Sequence, residues 1–321
     1  LIHFKQLKMK KDNSIIIGSG VIGSYLAKLL ITKKHNVVVT SRKLKKSYTN
    51  YNKLNIEEKV TFEKLNVLKK QEILKIVRKY SPDNIFYLSG QASLTKSIKH
   101  KKITNDSNYI GAKKFLETLH KYKIKSKFFK ANSGYIFEQK NGLITLKSKI
   151  SKDNNPYIQS QIKAYQEVRK FRNKGINCSS LIFMQIESPL RDNDYLIKKI
   201  CKHAKFKKYI SVGNLSTIRD YSWAPEIVKG IFYLTKIKPR DMILSSGQGI
   251  SGNEILKTAY KQNNLDYKKY FSVNKKYIRP NEIKTMIGSK KNYDILIKKF
   301  NFKIKIGGKK LVKKIYDSIW K

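Results

Sequence analysis

A run of three isoleucines, Ile15, Ile16 and Ile17, feeds a glycine turn, Gly18-Ser19-Gly20-Val21-Ile22-Gly23, that opens directly into an apolar-periodic helix over 21–31. No other stretch constrains the fold as tightly. A second apolar strand, Asn36-Val37-Val38-Val39-Thr40, follows at the spacing of a strand–helix–strand unit. Gly18 allows the tight turn, and Gly20 lets the backbone approach a pyrophosphate. Gly23 brings the helix against the strand, so that the first helical N–H groups, at Val21 and Ile22, point at the phosphates. The pattern predicts a dinucleotide cradle.

The end of the second strand bears on which dinucleotide. A site for NAD usually places an acidic residue there to hold the ribose hydroxyls, whereas this chain reads Thr40-Ser41-Arg42-Lys43. Arg42 can stack on adenine and fork onto a 2′-phosphate, and Lys43 adds a point charge, so NADP fits better.

Further strands and helices alternate after this unit. Residues 60–62 and 84–88 read as strands with a helix over 70–80 between them. A helix over 109–122, a strand over 127–131, a helix over 157–174 and a strand over 179–183 follow. This predicts an α/β fold with a doubly wound parallel sheet of Rossmann type. From Met184 the alternation weakens and Pro189, Pro225, Pro239 and Pro280 punctuate shorter elements, which predicts a smaller C-terminal α/β substrate-binding region closed by a helix over 308–320. The cofactor domain is therefore expected over 11–183, completed by parts of 221–250, with the substrate region over 184–220 and 251–321.

The net charge of +48 raises nucleic acid or an anionic membrane as partners. The kind of cation argues otherwise. Eight of the 70 basic residues are arginine and the remaining 62 are lysine, spread along the whole chain rather than clustered with aromatics. This reads as a background bias in composition, and neither a nucleic acid nor a membrane partner is expected. Cys178 and Cys201 give no disulfide framework, and the five histidines have no ligand spacing, so no metal is expected. No segment reaches the length of a membrane span, and residues 1–13 are basic without the apolar core of a signal peptide, so a cytoplasmic location is expected.

In open α/β sheets the ligand lies beyond the carboxyl ends of the strands. Three segments qualify: Leu88-Ser89-Gly90-Gln91, beside the cofactor; Asn132-Ser133-Gly134-Tyr135; and Asn155-Pro156-Tyr157 at a helix start. The hydroxyls of Ser133 and Tyr157 converging on one carbonyl can polarise it and deliver a proton while a nicotinamide delivers hydride.

With these segments the chain resembles an extended short-chain dehydrogenase/reductase of the NAD-dependent epimerase/dehydratase superfamily. Within it the chain is most similar to GDP-mannose 4,6-dehydratase and GDP-4-keto-6-deoxymannose reductase. The more specific likeness lies in the second half, in Glu187-Ser188-Pro189-Leu190-Arg191, in Val212-Gly213-Asn214-Leu215 leading to Arg219-Asp220-Tyr221, and in Tyr277-Ile278-Arg279-Pro280-Asn281-Glu282-Ile283. The resemblance implies that Glu187, Arg191, Asn214, Arg219, Arg279 and Glu282 line the site of a GDP-sugar, with Arg219 and Arg279 on the pyrophosphate. It also implies a homodimer or homotetramer.

Two catalytic positions depart from the family pattern. The family pairs its tyrosine with a lysine four residues on, whose charge lowers the phenol pKa from about 10 toward neutrality. Here that position is Gln161, and Lys163, six residues on at about 100° each, projects from another side of the helix. The dehydratase also needs a carboxylate two residues after the catalytic hydroxyl, where this chain has Tyr135. On these residues 4-keto reduction is expected over 4,6-dehydration. The overall likeness to the dehydratase keeps that activity open, and Gln161 also allows a catalytically impaired homologue that only binds a sugar nucleotide.

Overall fold

The computed structural model describes residues 11–139, 142–278 and 282–319. Seven strands form the main sheet: β1 (Asn13–Ile17), β2 (Asn36–Ser41), β3 (Thr61–Lys64), β4 (Asn84–Tyr87), β5 (Lys127–Ser133), β6 (Cys178–Phe183) and β7 (Met242–Leu244). They lie in the order β7-β6-β5-β4-β1-β2-β3 and every pairing is parallel. The strand order reverses at β1, whose neighbours are β2 and β4, so its carboxyl end faces the crevice where such sheets bind ligands.

Both faces of this sheet are covered, which is why the strand sequences are apolar without alternation. On one face Ile16, Val39, Phe86 and Leu244 pack with Leu26 and Leu30 of the helix Val21–Thr32 and with Ile227 and Ile231 of the helix Ala224–Leu234. On the other, Ile15, Ile17, Ile85 and Phe128 pack with Ile73 and Ile76 of the helix Lys70–Tyr80, Phe115 and Leu119 of the helix Gly111–Lys121, and Val168 of the helix Pro156–Asn173.

A second, five-stranded sheet stands over the carboxyl ends. Ile218–Trp223 is its spine, pairing with Gly249–Ser251, Thr285–Gly288 and Gln185–Glu187, while Leu143–Ile144 adds to the outside of Thr285–Gly288. The helices Leu196–Lys205, Gly252–Lys261 and Gly308–Asp317 close a separate core around Ile200, Leu256 and Val312.

Several boundaries differ from the sequence reading by one to three residues: the strand expected over 60–62 is Thr61–Lys64, and the helix expected over 109–122 opens in a π-helical turn, Asp106–Ile110, and ends at Lys121. The strand expected to stop at Ala131 runs on to Ser133, because Asn132 and Ser133 pair with Ile182 and Phe183 of β6. The closing helix ends at Asp317, and Trp320 lies outside the described residues.

Candidate functional site

The glycine turn has the shape its residues require. Gly18 sits at φ +109°, and a Cβ there would lie 3.0 Å from the backbone of Ser89. A Cβ on Gly23 would lie 2.5 Å from the carbonyl oxygen of Gly18, so helix and turn touch directly. Gly20 differs, since a Cβ there would meet nothing within 4 Å. It caps the helix Val21–Thr32, whose first turn carries no acidic residue and whose N-terminal N–H groups take no side-chain cap. An open approach to unpaired N–H groups suits a pyrophosphate. Beside it, Leu88 extends β4 through a hydrogen bond from its N–H to Ile17 O (3.0 Å), followed by partly exposed Ser89 and exposed Gly90. At the end of β2, Arg42 and Lys43 are exposed, and among the described residues the Arg42 guanidinium has no hydrogen-bond or ion-pair partner.

The helix Pro156–Asn173 is started by Asn155, whose Oδ1 accepts from Tyr157 N at 3.0 Å, with Pro156 in the first turn. This start puts Tyr157 against the end of β5. The Ser133 hydroxyl lies close enough to the Tyr157 phenol to favour its ionised form, so the two groups that sequence reading singled out do come together. Burial pushes the Tyr157 phenol up to about 12, partly opposed by Ser133 and reinforced by the neighbouring Tyr135 hydroxyl. One turn further, Gln161 is 6% exposed and bound to β5: Asn132 Nδ2 donates to its backbone oxygen at 2.9 Å and to its Oε1 at 3.3 Å. Lys163 points outward and is exposed.

The second-half segments converge from the upper sheet. Gln185–Glu187 pairs with Tyr221–Trp223, and Met184 packs on Gly134, where a Cβ would come within 2.6 Å of it. Glu187 is buried, and desolvation lifts its carboxyl to about 7 despite the nearby Arg191. Its Oε2 and the Nε of Arg191 have no hydrogen-bond partner, and the Arg191 guanidinium stacks 3.7 Å from the Tyr195 ring centroid. Tyr25, on the glycine-turn helix, reaches Ser188, linking this segment to the cradle. Arg219 Nη1 donates to Ile218 O (2.9 Å) and Lys284 O (3.3 Å), and Glu282 Oε2 is buried without a partner among the described residues. Asn214 Oδ1 accepts from Ser216 N and Oγ at 3.0 and 2.8 Å, and neighbouring Gly213 packs on Tyr277. Arg279 lies outside the described residues. Among the described residues Glu187 Oε2, Arg191 Nε and Glu282 Oε2 are thus buried polar atoms without a hydrogen-bond partner.

The sequence model of the GDP-mannose 4,6 dehydratase family matches residues 15–315. The chain belongs to this family. A GDP-mannose 4,6 dehydratase of Caenorhabditis elegans is 22% identical over 326 residues, covering 90% of this chain and 85% of the relative. One from Sinorhizobium fredii is 22% identical over 316 residues, covering 86% and 89%. Among solved structures, UDP-glucose 4-epimerase of Thermotoga maritima with UDP-glucose superposes with a TM-score of 0.81 at 18% identity, covering 95% of this chain and 98% of that one. The Thermus thermophilus UDP-glucose 4-epimerase in complex with NAD gives 0.81 at 16% identity, with 95% and 98% covered. These likenesses show the shared fold.

Sequence reasoning missed Asn108, which ties the two halves of the lower site together. It lies in a π-helical turn, Asp106–Ile110, and its Nδ2 donates to Gln91 O (3.1 Å) and Ser160 Oγ (3.0 Å). Ser160 Oγ in turn donates to Tyr157 O at 2.7 Å. A Cβ on Gly90 would fall 2.3 Å from Asn108 Oδ1, which explains that glycine. The available signal was the polar stretch Asn105-Asp106-Ser107-Asn108 ahead of Gly111 in an otherwise helical run. Lys130 was missed as well: it is buried on β5 between Tyr87 and Ser180, its ammonium bonded to Ala131 O, and burial lowers its pKa to about 7.

Proposed function

We propose that the chain is an NADP(H)-dependent enzyme of nucleotide-sugar metabolism that reduces a 4-keto group on a GDP-hexose. The observation that carries this reading is the pair Ser133 and Tyr157, brought together at the end of β5, with Tyr135 where elimination would require a carboxylate. Removal of a C5 proton needs a base that a neutral phenol does not supply, whereas carbonyl reduction needs a proton donor. When bound, the reduced nicotinamide supplies the hydride. Tyr157, held protonated by burial, donates its proton to the carbonyl oxygen as negative charge develops there, and the Ser133 hydroxyl orients both oxygens.

Gly18, Gly20, Val21, Ile22 and Gly23, with Leu88, Ser89, Gly90 and Gln91, are proposed to hold the dinucleotide. Arg42, free and exposed at the end of β2, supports a 2′-phosphate and hence NADP. Arg219 and Arg279 are proposed to grip the sugar-nucleotide pyrophosphate, with Glu187, Arg191, Asn214 and Glu282 around it. A second reading, a homologue that binds GDP-sugar without turnover, is favoured by Gln161, which bonds but cannot supply charge.

Thermal unfolding tests the assignment. NADP is expected to bind at least tenfold tighter than NAD, about 1.4 kcal/mol, and Arg42→Ala to erase the difference. GDP-mannose is expected to raise the midpoint where UDP-glucose does not. Protection by UDP-glucose alone would overturn the choice of substrate, and equal affinities for the two cofactors would overturn the choice of NADP.

A further inference from the structure

Three of the eight arginines line one cavity remote from the glycine turn and from Tyr157. It is an open cleft of about 510 Å³ at the β7 edge of the main sheet. Its walls are the outer end of the helix Pro156–Asn173, with Tyr165, Arg169 and Arg172, the residues 239–242 that lead into β7, and the segment 291–295.

The charges inside it are unevenly paired. Asp241 takes Arg172 in a two-pronged grip, with Nη1 at 2.8 Å and Nη2 at 2.6 Å, and also accepts from Ser180 N at 3.1 Å and from the Tyr165 hydroxyl. That carboxylate is saturated and the Arg172 charge is spent. Asp294, exposed on the far wall, is the other acid in the lining. Arg169 lies over the Tyr165 ring at 5.6 Å, and Arg240 buries its Nε with no hydrogen-bond partner. Among the described residues neither of them, nor exposed Lys291, has an ion-pair partner.

The choice of arginine is itself informative. With 62 lysines against eight arginines, this chain uses lysine wherever a bare positive charge suffices. A guanidinium is retained where a planar fork matters, as in gripping an oxyanion. Arg169 is exposed and Arg240 half-buried, and among the described residues no carboxylate pairs with either guanidinium.

We infer that this cavity is a second anion site, taking a phosphate-bearing small molecule whose phosphoryl oxygens are gripped by Arg169 and Arg240, with Lys291 at the rim. Leu146, Met242 and Ile295 offer an apolar wall for the rest of the molecule.

Crystals soaked in sodium tungstate locate anions directly. A tungsten peak within hydrogen-bonding reach of Arg169 and Arg240 is expected; tungsten found elsewhere and absent here overturns the site. In solution, inorganic pyrophosphate should raise the unfolding midpoint, and Arg169→Gln with Arg240→Gln should remove at least half of that rise. If the double variant fails to fold, Lys291→Gln, at an exposed position, should weaken pyrophosphate binding about threefold. An undiminished response in these variants overturns the inference. Adenosine monophosphate and inorganic phosphate, compared in the same way, distinguish an organic ester from the free ion, and indifference to both overturns the phosphate assignment.

Discussion

Tyr157 is buried, which raises its pKa to about 12, so in the proposed role of proton donor it holds its proton too firmly for brisk donation near neutrality. Gln161→Lys places an ammonium one helical turn from Tyr157, lowers the phenol pKa, and is expected to raise reductase turnover by about one to two orders of magnitude. Tyr157→Phe is expected to abolish turnover. Steady-state kinetics check both, and turnover that survives Tyr157→Phe would mean another group donates the proton. Glu187 poses a different residue-scale question, because desolvation raises its carboxyl to about 7 in the fold from 4.5. Between these values the unfolded chain is ionised there while the native one keeps its proton, so the native state is favoured at the acid end. That advantage is lost as pH rises through 7. Glu187→Gln removes the dependence. Relative to the parent, the variant should gain stability from pH 5 to pH 8, by up to about 3 kcal/mol in denaturant titrations. A difference that does not change with pH would show that Glu187 is already paired and ionised in the native protein.

At the scale of elements, the strand, glycine turn and helix over 13–32 make a prediction that separates fold from ligand. A methyl on Gly20 meets open space at an ordinary φ of −76°, so Gly20→Ala should leave the unfolding midpoint unchanged while weakening NADP at least tenfold. A methyl on Gly23 runs into the Gly18 carbonyl, so Gly23→Ala should cost stability as well, about 1–3 kcal/mol. Equal behaviour of the two variants in calorimetry would remove the assigned roles. This unit was legible in the sequence because its contacts are local: the turn residues fix their own backbone, and β1 and β2 lie one helix apart. The helix Pro156–Asn173 was legible for the same reason, through Asn155, Pro156 and its apolar period. Elements fixed by distant partners were not. Ser133 belongs to β5 only because Phe183 of β6 pairs with it, and Leu143–Ile144 is a two-residue strand because Thr285–Gly288 lies alongside. Asn108 escaped notice because π-turn geometry, not helical spacing, aims it at Gln91 and Ser160. In the candidate site, residue types and hydroxyl pairing could be read ahead of the structure. The buried, unpartnered oxygens of Glu187 and Glu282 could not, since burial depends on tertiary packing that the local sequence does not display.

For the molecule as a whole, the net charge of +48 has to be accommodated by a fold in which nine acid–base side-chain pairs are found among the described residues, eight of them made by lysine or arginine and one by His35, against 70 lysines and arginines. Most lysines therefore face other lysines across water. Compactness brings these like charges together and the unfolded chain spreads them apart, so self-repulsion works against the native state. The screening length falls from about 30 Å at 0.01 M salt to about 3 Å at 1 M, shorter than most distances between surface charges. Potassium chloride is the appropriate salt, because phosphate or sulfate would also engage Arg169 and Arg240. Raising it from about 0.01 to about 0.5 M is expected to lift the thermal midpoint by roughly 5 °C, as screening removes repulsion that the nine pairs leave uncompensated. The same screening weakens each guanidinium's hold on a phosphate, so affinity for NADP should fall over the same range while stability rises. Opposite signs for these two responses, read by scanning calorimetry and by titration, follow only if the charge is dispersed over the surface and the binding arginines are exposed to ions. A midpoint that falls with salt would instead mean that local attractions outweigh the repulsion, and that the lysines are organised into networks beyond these nine pairs.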